Sequence, residues 1–149
     1  MIIRIFALVL LFFTACAFTS MNGNADAIAG KWMSAEDNLE VEVYRDGDSY
    51  KARVLWFDDT DNKGRPMDVR QDTKNPDKTL RSRKIIGLNV MYGLTYNADD
   101  EEWQDGHIYD PSTGKEWNAK AWINSEGVLR VRGYWHFSLF GQTMSFKKI

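Results

Sequence analysis

Five charged side chains have the types and spacing to grip a ligand. Asp68, Arg81 and Arg83 fall in one charged stretch, and Arg130 and Arg132 alternate along a segment with strand character. An arginine fork holds a carboxylate or phosphate through parallel N–H donors. Arg130 and Arg132 share a face with Val128 and Tyr134. If that face points inward, both charges need partners, because an unpaired buried charge is strongly unfavourable. Two readings follow. Asp68 pairs with an arginine and ties the charged stretch to the fold, or Asp68, Arg81, Arg83 and Arg132 stand at a pocket mouth and hold a polar head. The ion pair is the simpler of the two.

Catalytic chemistry finds little support. His107 and His136 are the only histidines, and Cys16 is the only cysteine. A metal site needs several converging ligands, so no metal or cofactor is expected. Ser112, His107 and Asp110 can be written as a relay, but their spacing is that of a turn and no nucleophile elbow accompanies them. The acid pairs Asp58-Asp59, Asp99-Asp100 and Glu101-Glu102 fall in loops or at strand starts, where solvation explains them. The expectation is a protein that is not an enzyme. A net charge of −2 gives no basic excess for nucleic acid.

Aromatics are the richer signal. All six Trp and all six Tyr lie beyond residue 27. Trp32, Trp56, Tyr109 and Trp117 can pack a solid core, since burying a large side chain contributes about 2–3 kcal/mol. They can equally line a pocket for a small apolar or amphipathic molecule. Residues 53–57 are apolar on both strand faces at their end, which favours the pocket. Trp56, Tyr109 and Trp117 are therefore its expected walls.

These residues are positioned by short strands. Leu39, Val41 and Val43 alternate with Glu40, Glu42 and Tyr44, the period of a half-buried strand. Asp46-Gly47 turns the chain, and Tyr50, Ala52, Val54 and Trp56 share a face of the next strand. Residues 58–84 lose the alternation, and such long connections are usually functional or disordered. Within them Asn75-Pro76-Asp77 reads as N-cap, first helical position and first-turn acid of a short helix to about residue 81. Alternation resumes over residues 85–92. In residues 106–117, Asp110-Pro111 starts a tight turn and Gly114 supplies its left-handed residue. Trp117, Ala119, Ala121 and Ile123 share one face beyond it. Leu129, Val131, Gly133 and Trp135 oppose Val128, Arg130, Arg132 and Tyr134, and a last strand covers about residues 142–148. Seven or eight strands joined by hairpins suit an all-β antiparallel up-and-down barrel that leaves no exposed edge. A β-sandwich is the alternative.

The N-terminus reads as an export signal. Arg4 precedes an apolar run over residues 5–13, too short for a bilayer, which needs about 20 residues. Cleavage after Ala17 or Ala27 is compatible; Ala27 is preferred because Gly30-Lys31-Trp32 opens the first strand soon after. That divides the chain into a signal, residues 1–27, and one domain, residues 28–149. Phe13-Thr14-Ala15-Cys16 loosely resembles a lipobox, so a lipid at Cys16 is the one membrane link expected. The location implied is the periplasm or cell envelope.

From residue 30 to residue 148 the chain resembles a family of exported bacterial proteins of uncharacterised function, DUF2147. The resemblance rests on Gly30-Lys31-Trp32, on Lys63-Gly64-Arg65-Pro66-Met67-Asp68, and on Asn75-Pro76-Asp77 with Leu80-Arg81-Ser82-Arg83. Gly87-Leu88, Ile108-Tyr109-Asp110-Pro111 with Gly114-Lys115, and Leu129-Arg130-Val131-Arg132-Gly133-Tyr134 complete it. It implies a small lipocalin-like barrel in the envelope with no established activity. In lipocalins the Gly-x-Trp tryptophan plugs the closed end beneath an arginine that follows the last strand; here Lys147 and Lys148 stand there. Trp135-His136-Phe137, where the family often has a small residue, implies a narrower or differently lined mouth. The expectation is a binding protein for a small apolar or amphipathic ligand. The alternative is a non-catalytic interaction module that docks through residues 58–84.

Overall fold

Burial that alternates along successive strands, each joined to the next in line, builds one closed sheet. A computed structural model describes residues 24–136 and 141–149; Cys16 and the Ala17 site lie outside the described residues. Strands β1 (Gly30–Ser34), β2 (Leu39–Asp46), β3 (Ser49–Phe57), β4 (Asn89–Asn97), β5 (Glu102–Asp110), β6 (Lys115–Ile123), β7 (Leu129–Tyr134) and β8 (Gly141–Lys148) follow in order. Each is antiparallel to its neighbour, and β8 returns to β1 with Trp32 opposite Lys148 and Ser34 opposite Phe146. The sheet is an up-and-down barrel, not a sandwich.

The core fills one end. Trp32, Val41, Val43, Tyr50, Ala52, Leu94, Trp103, Leu129 and Phe146 pack inward around Ile28. Ala119 and Ala121 are fully buried on the same face as Trp117, and their small volume makes room for the indoles. A single 3-10 turn, Ala25–Ile28, plugs this end. Trp32 donates its indole N–H to the Ile28 carbonyl at 2.8 Å, and Trp103 donates to the Ala25 carbonyl at 2.9 Å. Tyr50 donates its hydroxyl to Asp26 at 2.5 Å. Lys148, one of the two lysines standing where the resemblance implies an arginine, has its ammonium 5.3 Å from the Trp32 ring centroid. The chain direction puts the β2–β3, β4–β5 and β6–β7 turns at the plugged end. The β1–β2, β3–β4, β5–β6 and β7–β8 connections lie at the other.

Three expectations are corrected by local geometry. The fourth strand starts at Asn89, later than the alternation over residues 85–92 implies, because Ile85 to Leu88 close the long connection. There Gly87 has φ +84°; its amide donates to the Val54 carbonyl at 2.8 Å, and the Val54 amide donates to the Leu88 carbonyl at 3.0 Å. Gly93, at φ +73°, then shifts the inward row to Met91 and Leu94. The register of β2 and β3 also slips between Glu40 and Val41, so Trp56 comes opposite Glu40 and leaves the inward row of Tyr50, Ala52 and Val54. The helix expected from Asn75 to about residue 81 is only the 3-10 turn Lys78–Leu80. Asp77, not Asn75, caps it by accepting from the Thr79 amide at 2.9 Å.

Trp32 is 1% exposed and touches both the plug and the seam. Trp32→Ala is expected to cost about 3–5 kcal/mol, read as a lowered urea midpoint with an unchanged slope.

Candidate functional site

The unplugged end contains the candidate site. Facing residues of β5 to β8 meet there in register: Ile108 opposite Trp117, Val131 opposite Met144, and Gly133 opposite Gln142. Together with Tyr134, Trp135 and Gly141 they enclose a pocket of about 460 Å³. That volume falls within the range of small-molecule sites. Gly133 creates the space. A Cβ there would point between the Ile108 methyl, at 3.8 Å, and the Trp117 Cβ, at 3.9 Å, so any longer side chain would enter the pocket. At the corresponding position of β5 the barrel is full, since a Cβ on Gly106 would lie 2.6 Å from the Leu94 side chain. Trp135 and Met144 remain substantially exposed at the rim.

Of the residues expected to bind, Trp117 is the one that lines this pocket. Trp56 is half-buried opposite Glu40. Tyr109 alternates with Ile108 and so lies on the outer face of β5. Arg130 and Arg132 alternate with the buried Leu129 and Val131, which puts them on the outer face as well; Arg132 donates to the Thr143 hydroxyl at 2.9 Å. Asp68 is exposed in the turn Met67–Val69, and Arg81 donates to the Asn75 carbonyl at 2.7 Å. The arginines are thus dispersed along the outer wall and the long connection.

The charged stretch is tied down by Asp72, not by Asp68. Asp72 has no exposed surface, and its carboxylate collects three donors. Tyr109 donates at 2.5 Å, the Asn75 amide at 2.8 Å and Arg83 Nε at 2.9 Å. The Arg83 guanidinium also lies 5.6 Å from the Tyr109 ring centroid. Gly114 completes the latch: a Cβ there would lie 2.0 Å from the Lys74 carbonyl oxygen, so only glycine lets the long connection rest on the β5–β6 turn. Asp110 is occupied in that turn, accepting from the Ser112 amide at 2.8 Å, the Ser112 hydroxyl at 2.6 Å and the Thr113 hydroxyl at 2.8 Å. His107 instead stacks on Tyr92 with ring centroids 5.4 Å apart, near Glu116.

The family model for DUF2147, an uncharacterized protein conserved in bacteria, matches residues 30–148. The chain belongs to this family. Protein HP1028 from Helicobacter pylori, described as belonging to the lipocalin family, has a similar structure. Its TM-score is 0.68 at 20% identity, with 82% of each chain covered. At that identity the likeness shows the fold, a lipocalin-like barrel. No curated protein matches the chain.

The sequence reading named Trp117 as a wall of this DUF2147 barrel's pocket but missed Ile108, Val131 and Met144, because they are ordinary strand residues. One signal was available: the inward row Leu129, Val131, Gly133, Trp135 contains a glycine where a large side chain would otherwise fill the barrel.

The Asp72 latch is sensitive to alkali. Burial, and then the hydrogen bond to Asp72, push the Tyr109 hydroxyl up to about 12. An unfolded tyrosine titrates near 10, so this group's stabilisation is complete below about pH 10 and is lost as pH rises toward 12. Tyr50 and Tyr92 are also raised to about 12 by burial and by Asp26 and Glu116 respectively. Tyr109→Phe is expected to cost about 1–3 kcal/mol at neutral pH by removing a donor from a buried carboxylate. It should also make the fall in melting temperature between pH 10 and 12 shallower without abolishing it. Thermal melts of both proteins across that range check both effects.

Proposed function

We propose that this barrel is an exported binding protein of the cell envelope and holds a small apolar or amphipathic ligand at its unplugged end. The pocket walled by Ile108, Trp117, Val131 and Met144 carries the reading. Its surfaces are aromatic and aliphatic, and desolvating them around a ligand supplies the driving force. The lipocalin-like fold supports the same reading. The alternative interaction module draws on Val69 and Leu80, exposed apolar side chains of the latched connection.

Export enters this reading through the signal-like features of the first residues. The plug favours processing upstream of it. A cut after Ala27 would remove the Ala25 carbonyl that accepts from Trp103 and the Asp26 carboxylate that accepts from Tyr50. A cut after Ala17, or before a lipidated Cys16, leaves both.

Native mass spectrometry of the protein purified from its own envelope tests these points together. The expected result is an extra mass lost on denaturation and a polypeptide mass that includes Ala25. Gly133→Leu fills the pocket and should abolish the extra mass while the barrel still melts cooperatively. A bound mass that persists in folded Gly133→Leu would place the ligand elsewhere.

A further inference from the structure

Among the described residues, the pocket wall contains no charged side chain. Its inward-phase side-chain polar groups are the Gln142 amide and the indole N–H groups of Trp117 and Trp135, and none of them has a hydrogen-bond partner among the described residues; Tyr134 shares the outer phase of Arg132. The arginines expected to meet an anion are engaged elsewhere: Arg83 with Asp72, Arg81 with the Asn75 carbonyl, and Arg132 with Thr143 across the outer face. The nearest charges in the inward phase lie beyond Trp117 at the β5–β6 tip. They are Lys115 and Asp110, register partners of opposite sign, so their fields largely cancel.

Resting on the reading that this pocket takes a ligand, we propose that the ligand is uncharged. Its hydrocarbon body lies among Ile108, Trp117, Val131 and Met144, and its single polar group (a hydroxyl, ester or amide) is held at the rim by Gln142. Moving a carboxylate or ammonium from water to this wall removes its hydration and offers no counter-charge. A neutral hydroxyl loses much less, and a carboxamide both donates to it and accepts from it. The barrel would thus select neutral amphiphiles over fatty acids and amines of equal chain length.

Displacement of the neutral fluorophore N-phenylnaphthylamine from the full-length protein tests this at neutral pH. Octanol, octanoate and octylammonium are the competitors, matched in chain and different only in charge. Octanol is expected to compete at least about ten-fold more strongly than either ion, and Gln142→Leu should reduce that advantage by weakening octanol more than either ion. Octanoate competing as well as octanol would overturn the inference, and its loss in Lys115→Met would identify the cation responsible. If the fluorophore fails to bind the unmodified chain but binds a lipocalin control, the pocket reading itself fails and this inference falls with it. If the fluorophore binds equally to Gly133→Leu, its site is not this pocket, with the same consequence.

Discussion

The barrel depends on the burial of one indole. Trp32 sits where three constraints meet. Its backbone is paired on one side with Val41 and on the other with Lys148, its ring is in the core, and its N–H is held by the Ile28 carbonyl. An indole buried without a partner for its N–H would be penalised, so the Ala25–Ile28 turn must lie across the end of the barrel to supply one. That turn in turn receives Trp103 and Tyr50 from the far side of the sheet. Closure of the seam and closure of the end are therefore a single event.

Packing that end tightly leaves the opposite one open. The indoles and Phe146 fill the plugged half, with alanines at positions 119 and 121 making space for them. Toward the other end the inward row on β7 passes from Val131 to Gly133, and the interior loses a side chain where it would otherwise have been sealed. An eight-stranded barrel is wide enough either to be filled by side chains or to hold one small ligand. Here one end is filled by side chains and the other keeps an open pocket.

The latch separates charge from cavity. Asp72 draws Tyr109, Asn75 and Arg83 together on the outside of β5, so the polar groups of the long connection satisfy one another and not a molecule in the barrel. A buried carboxylate with three donors is a stable arrangement, and it holds the connection against Gly114 without help from the core. The interior at the unplugged end is left mainly apolar.

Alternation and turn residues were enough to determine an all-β meander, most strand positions, the Asp110–Gly114 turn and which residues of β6 share a face, because strand periodicity and turn stereochemistry act over a few residues. The Gly-x-Trp resemblance pointed to Trp32 at the closed end, but not to the Ala25–Ile28 turn that covers it. Only the tertiary structure decided which face of β7 looks inward, that Trp56 slips out of the core row, and that Asp72 rather than Asp68 anchors the connection. Those outcomes depend on register slips at Glu40 and Gly93 and on contacts between residues far apart in the chain, such as Asp72 and Tyr109. A shift of one residue exchanges the faces of a strand, and no local pattern records it. The pocket belongs to the same class: four strands must close before a missing side chain at Gly133 becomes a space.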